Sequence, residues 1–229
     1  LVIKAGSIME EDNQLGLAHL LEHMAFNGSK NYPKDALNKF MSSIGLNIGS
    51  HYNASTSFLE TIYEFEIPTD NPENIVTTIK ILSDIANNLT LDGKAFERER
   101  KIVEEEWRRK FGATKRYFDE FLNYLFKDSL LVNRKPIGDI KIIRNFKYKD
   151  ARDYYQKWYQ PNLMGLFVIG DINTNQIKNL IIENFASFEN QDLKIPNYKI
   201  PDFKENQFFK YQDQETKSIN ITFLEKNNF

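Results

Sequence analysis

Gly16-Leu17-Ala18-His19-Leu20-Leu21-Glu22-His23-Met24-Ala25-Phe26-Asn27-Gly28-Ser29 is the stretch from which the rest of the chain can be read. Leu15 to Phe26 holds no glycine after Gly16 and no proline, which predicts a helix, and the Asn27-Gly28 turn signal ends it. Leu15, Leu17, Ala18, Leu20, Leu21, Met24 and Ala25 make that helix apolar nearly all round, so it belongs in a protein interior. His19, Glu22 and His23 fall within about 100° of one another on its surface. This polar face needs a partner inside the protein. Two imidazoles one turn apart can bind the same metal ion, and Zn²⁺ is the usual guest of a nitrogen/oxygen set. The competing use is a pair of core histidines satisfied by hydrogen bonds. With only three histidines in the chain, a chance match to the spaced pattern is on the order of one in several hundred, which favours the metal.

Composition narrows the remaining classes. The chain has 229 residues, enough for one large or two small domains with a real core. Lys and Arg total 30 against 32 Asp and Glu, a net charge of −2 that lacks the electrostatic footprint of a nucleic-acid binder. The 18 Phe and 11 Tyr, without a basic stripe, are expected in core packing rather than on a stacking platform. No apolar run reaches the ~18 residues of a membrane span. The absence of cysteine excludes disulfides, thiolate zinc sites and cysteine nucleophiles, and leaves the redox compartment open.

Outward from the histidine helix, Pro33 fits the first turn of a second helix, stopped by Gly45. Leu46 to Tyr52 and Glu60 to Ile67 are strand candidates, the second closed by Pro68. A helix is expected from Pro72 to about Leu89. Asp92 is the N-cap of a long helix carrying Phe96, Ile102, Val103 and Trp107. A further helix spans Asp150 to Tyr159, then a continuous apolar strand Leu163 to Ile169 and a helix from Thr174 to Phe185. Gln191 to Gln214, with Pro196 and Pro201, reads as a connector. Helices and strands mix without strict βαβ alternation, which predicts an α+β fold. Both ends of the sequence read as truncated.

Two histidines leave a metal site incomplete, and His51 sits in a polar stretch. On the helix after Asp92, Glu99 and Glu106 lie two turns apart on the stripe of Ala95, Phe96, Ile102 and Val103. Carboxylates facing a core need a partner or a cation. For Glu106, a salt bridge to Arg or Lys and metal ligation stand equal on this evidence. Of the three consecutive glutamates, Glu106 is about 20° from Glu99, Glu105 points to one side, and Glu104 turns farther toward solvent. The run Arg98-Glu99-Arg100-Lys101 reads as a solvated face with compensating charges.

His19-Leu20-Leu21-Glu22-His23 is the inverted zinc-peptidase signature H-x-x-E-H. With the residues around it, Tyr32-Pro33, Asn53-Ala54-Ser55-Thr56, Glu60-Thr61-Ile62-Tyr63, Glu99 to Trp107, Pro136-Ile137-Gly138, Tyr154 to Tyr159 and Val168-Ile169-Gly170-Asp171, it resembles the pitrilysin/insulinase family of zinc metallopeptidases, in particular bacterial members built of two halves. The resemblance implies a mixed, largely antiparallel sheet backed by helices. It implies residues 1–190 as the zinc-binding domain and 191–229 as a connector and the start of a following α/β domain. It implies one Zn²⁺ held by His19, His23 and Glu106, with Glu22 as general base and Glu99 as a supporting carboxylate. Asn53 and Ala54 would lie on an edge strand that a peptide or unfolded protein segment joins. A second homologous half completes the site, so the chain alone is expected to hydrolyse little, and a bacterial periplasmic location follows from the same likeness. The rival is a catalytically silent peptide-binding or scaffold subunit of that family.

Overall fold

The computed structural model describes residues 1–47, 49–198 and 209–212, and the backbone of 220–222. The fold is α+β. A four-stranded sheet has the order β2-β3-β1-β4, from β1 (Val2–Ile3), β2 (Tyr52–Thr56), β3 (Thr61–Phe65) and β4 (Met164–Gly165). Every pairing in it is antiparallel. The β2–β3 hairpin pairs Asn53 with Glu64, Ala54 with Tyr63 and Thr56 with Thr61. That order leaves the outer edge of β2 unpaired in the sheet.

Helix α1 (Leu17–Ala25) packs on β2 and is covered by α4 (Gly93–Lys110) and α7 (Tyr148–Trp158). Leu17, Leu20 and Leu21 have no solvent exposure, as expected for a helix apolar on nearly every side. Its first turn is held by a residue outside the helix: the Glu10 carboxylate accepts from the Gly16 and Ala18 backbone N–H at 3.0 and 2.8 Å. These are donors that a helix start leaves without partners. Gly16 sits at φ +99°, and a Cβ on Gly138 would lie 2.4 Å from the Gly16 Cα. The Pro136-Ile137-Gly138 loop can therefore seat on the start of α1 only because both positions lack a side chain.

α2 (Lys34–Ser43), α3 (Pro72–Asn87) and α8 (Thr174–Phe185) lie where their periodicity predicts. Asp92 caps α4 through the Ala95 N–H at 2.9 Å. α5 (Ala113–Leu125) and the single turn α6 (Ile140–Ile143) complete the helices among the described residues.

Three expectations are corrected. Leu46 to Tyr52 is not a strand up to its last residue: Gly49 takes φ +83°, and the Asn47 N–H donates to His51 Nδ1 at 3.2 Å, so side-chain and glycine chemistry makes a turn. Ile48 lies outside the described residues. In the apolar run Leu163 to Ile169, Met164 and Gly165 pair with Ile3 and Val2 of β1. Phe167 and Ile169 are 72% and 95% exposed. The connector contains a strand, β5 (Phe209–Tyr211), paired with β6 (Asn220–Thr222). The Phe209 ring packs against Tyr117, Phe121 and Tyr124 of α5, which gives this polar stretch an aromatic anchor.

Candidate metal centre and peptide cleft

His19, Glu22 and His23 each bring a ligand atom to within 4.8 Å of the others. The two imidazoles stand edge to face with centroids 4.9 Å apart. From α4, the Glu106 carboxylate lies 3.5 Å from His19 Nε2 and 3.6 Å from His23 Nε2. Such distances are long for hydrogen bonds. They are close to the ~3.3 Å expected between two ligands of a tetrahedral zinc with bonds of about 2.0–2.2 Å. The Glu106 position thus fits a shared cation better than a direct histidine–glutamate pair.

The surrounding groups act on the two imidazoles in opposite directions. Burial, then the charges of His23 and Lys110, pull His19 down to about 3, so it is neutral at neutral pH and keeps a lone pair for a metal. Among the described residues, the buried His19 Nδ1 has no hydrogen-bond partner. His23 Nδ1 faces Glu99 Oε2 at 3.5 Å, which leaves its Nε2 directed at Glu106. Burial works against a charged His23, but Glu99, Glu106 and Glu22 outweigh it and raise its pKa. Glu99 is itself buried, which disfavours its charge, yet His23, Asn27 and Lys34 hold its pKa below the usual value. Three carboxylates around two imidazoles make a negative nitrogen/oxygen pocket, a donor set that suits Zn²⁺.

Glu22 lies on α1 between the two histidines. Burial raises its pKa, opposed by a hydrogen bond from Thr56 Oγ1 to Oε2 at 2.7 Å. Thr56, Tyr52 and Ala54 are the half-buried set of β2, and Asn53 and Ser55 alternate with them as the exposed set. These residues form one wall of a cleft of about 610 Å³ that opens onto the histidines and Glu106.

The α4 stripe is more specific than its periodicity suggests. Ala95, Phe96, Glu99, Arg100 and Val103 are buried, whereas Ile102 is 42% exposed and does not belong to the stripe. Arg100 leaves the solvated face expected for it. Its guanidinium sits over the Phe96 and Phe146 rings and donates to the Ile143 and Phe146 carbonyls. Glu105, not Glu104, is the most exposed of the three consecutive glutamates, while Glu104 accepts from Arg144 at 2.8 Å. His51 stays in its turn and does not reach the cleft. The bond to Glu22 is the feature sequence reading missed. Its only signal is the position of Thr56 on the inward-facing set of an edge strand.

Residues 1–127 match Insulinase (Peptidase family M16), and residues 145–227 match the Peptidase M16 inactive domain. The chain is 37% identical over 186 residues to a protein of Haemophilus influenzae named probable zinc protease PqqL, covering 81% of this chain and 20% of that protein. A crystal structure of the first half of the periplasmic protease PqqL from Escherichia coli superposes with a TM-score of 0.82 at 33% identity, covering 87% of this chain and 43% of that one. The ferredoxin protease FusC, solved as a mutant in complex with Arabidopsis ferredoxin, gives a TM-score of 0.81 at 32% identity, covering 87% of this chain and 22% of that one. The chain spans about a fifth of the length of the curated relative quoted above. It belongs to the insulinase family, peptidase family M16, and its sheet and helices are those of a pitrilysin-type half-domain.

Proposed function

We propose that this chain carries the zinc-binding half of an endopeptidase that cleaves peptides or unfolded protein segments. The observation that carries the reading is the convergence of both Nε2 atoms on the Glu106 carboxylate at ligand-to-ligand spacing. His19, His23 and Glu106 would hold one Zn²⁺, with Glu99 orienting His23 through Nδ1. The bound ion supplies Lewis acidity, lowering the pKa of water and polarising the scissile carbonyl. Glu22 takes the proton from the attacking water and hands it to the leaving amine. Its burial favours the protonated form, which suits the second of these steps.

The peptide joins the sheet beside Asn53 and Ala54. Two features support this: β2 is an edge strand, and it walls the same cleft. Main-chain hydrogen bonds would supply affinity, and side-chain pockets a loose specificity. A second homologous half completes the site, and residues 191–229 lead toward a following domain. The E. coli relative named a periplasmic protease supports a bacterial periplasmic location. Among the described residues, no helix is long and apolar enough to cross a membrane. The silent-subunit reading draws on the inactive-domain match over 145–227, but the complete donor set lies within 1–127.

Elemental analysis and a quenched-peptide assay on the full-length protein test this. The zinc-loaded wild type is expected to carry zinc and hydrolyse the peptide, and His19→Ala to lose both. Equal zinc in the two proteins would end the metal assignment. Stoichiometric zinc without hydrolysis would favour the silent subunit.

A further inference from the structure

Besides Glu99, which faces His23 Nδ1, two carboxylates lie within reach of the imidazole pair, and only one of them can be the base. Glu22 contributes an oxygen to the same 4.8 Å cluster as the histidines, and Glu106 stands 3.5 and 3.6 Å from their Nε2 atoms. A carboxylate that ligates the ion cannot also serve as its free base. We infer that Thr56 is a positioning residue that holds Glu22 off the metal, and so decides which carboxylate ligates and which moves the proton. The inference rests on the zinc-peptidase reading above.

Thr56 Oγ1 donates to Glu22 Oε2 at 2.7 Å, which ties one carboxylate oxygen to β2. The donor is itself held firmly. Thr56 ends β2 opposite Thr61, whose hydroxyl is tied to the Ala5 carbonyl at 3.0 Å. The turn that follows is closed by Ser57 N–H to the Glu60 carbonyl at 2.8 Å. It is further pinned by Ser7 and Ile8, whose N–H groups donate to the Ser57 and Phe58 carbonyls at 3.1 and 2.9 Å. A β-branched side chain on such a backbone has few rotamers to choose from. A hydrogen bond to a charged acceptor shifts an equilibrium by roughly 10- to 100-fold, enough to bias a nearby carboxylate between two positions. Glu106 receives its contacts from the imidazoles instead, so the two carboxylates are sorted by their partners.

Cobalt-substituted full-length protein tests the inference through its visible absorption. Thr56→Val is nearly isosteric and should bind cobalt with wild-type stoichiometry but show an altered d–d spectrum, because Glu22 becomes free to ligate. Thr56→Ser should keep the wild-type spectrum. Adding Glu22→Gln to Thr56→Val should restore it. In peptide hydrolysis by the zinc form, Thr56→Val should lower kcat by at least ~10-fold with KM little changed, and Thr56→Ser should recover most of it. An unchanged spectrum in Thr56→Val overturns the inference whatever its rate. Wild type that binds no cobalt overturns the zinc reading, and this inference with it.

Discussion

Helices α1 and α4 both supply the candidate site, and they do so under opposite conditions. α1 is short and buried, and His19, Glu22 and His23 are its only polar side chains. α4 is long and strongly charged, with acidic and basic residues on most of its surface. In α1 every polar atom must be explained, because burial without a partner is unfavourable by several kcal/mol for a charge. In α4 a glutamate is ordinary, and only packing against α1 sets Glu99 and Glu106, which face the histidines, apart from Glu97 and Glu105. The same residue type is therefore informative on one helix and nearly silent on the other.

The contrast is tested first on α1, where the largest effect is expected. Glu22→Gln should lower peptide hydrolysis by ~10²–10⁴, the usual contribution of a general base, while zinc content stays at the wild-type level. Near-normal kcat would remove the proton-transfer role and with it the special standing of the α1 face.

On α4 the three consecutive glutamates should separate by zinc titration. Glu106→Gln is expected to lose at least ~10-fold in affinity, a conservative figure since disturbing even a group that supports a ligand costs 10- to 100-fold. Glu105→Gln should keep its zinc. Glu104→Gln should also keep it and lose only about 0.5–1 kcal/mol of stability with the Arg144 and Arg108 contacts, which are largely solvent-facing. Zinc loss in Glu105→Gln with retention in Glu106→Gln would invert the assignment.

A last test concerns how α1 is held. Burial pushes the Glu10 carboxyl up to about 8, against the backbone donors of Ala18, Gly16 and Leu17 and the charge of Arg134. Its folded pKa lies above its unfolded value of about 4.5, so its contribution to stability is complete below that pH. The contribution falls as pH rises toward 8, because the unfolded chain gives up a proton that the folded one keeps. The slope is at most about 1.4 kcal/mol per pH unit. Denaturant melts of metal-free protein between pH 5 and 8 should show a fall with pH that is shallower in Glu10→Gln. Identical slopes would show that the α1 cap does not titrate.

Legibility in the sequence follows the same physics. The α1 signature, the Asp92 cap and the span of α8 depend on local spacing and local hydrogen bonds, and each lies where its residues predict. Of the run Leu163 to Ile169, Met164 and Gly165 pair with β1, and which strand lies beside them is set by a segment distant in the chain. The reading of Arg100 fails for a related reason. Its charge suggests solvent, but the rings of Phe96 and Phe146 and two distant carbonyls give it a buried seat that no neighbour in sequence announces.

By itself, the sequence determined that a buried helix carries two histidines and a glutamate on one face, since helical periodicity and the exclusion of unpaired polar groups from a core both act over a few residues. Only the tertiary structure decided which α4 glutamate meets those histidines, that Glu10 holds the start of the helix, and that Thr56 grips Glu22. Those choices depend on contacts between segments far apart in the chain, where the direction of a side chain is set by packing rather than by its neighbours in sequence.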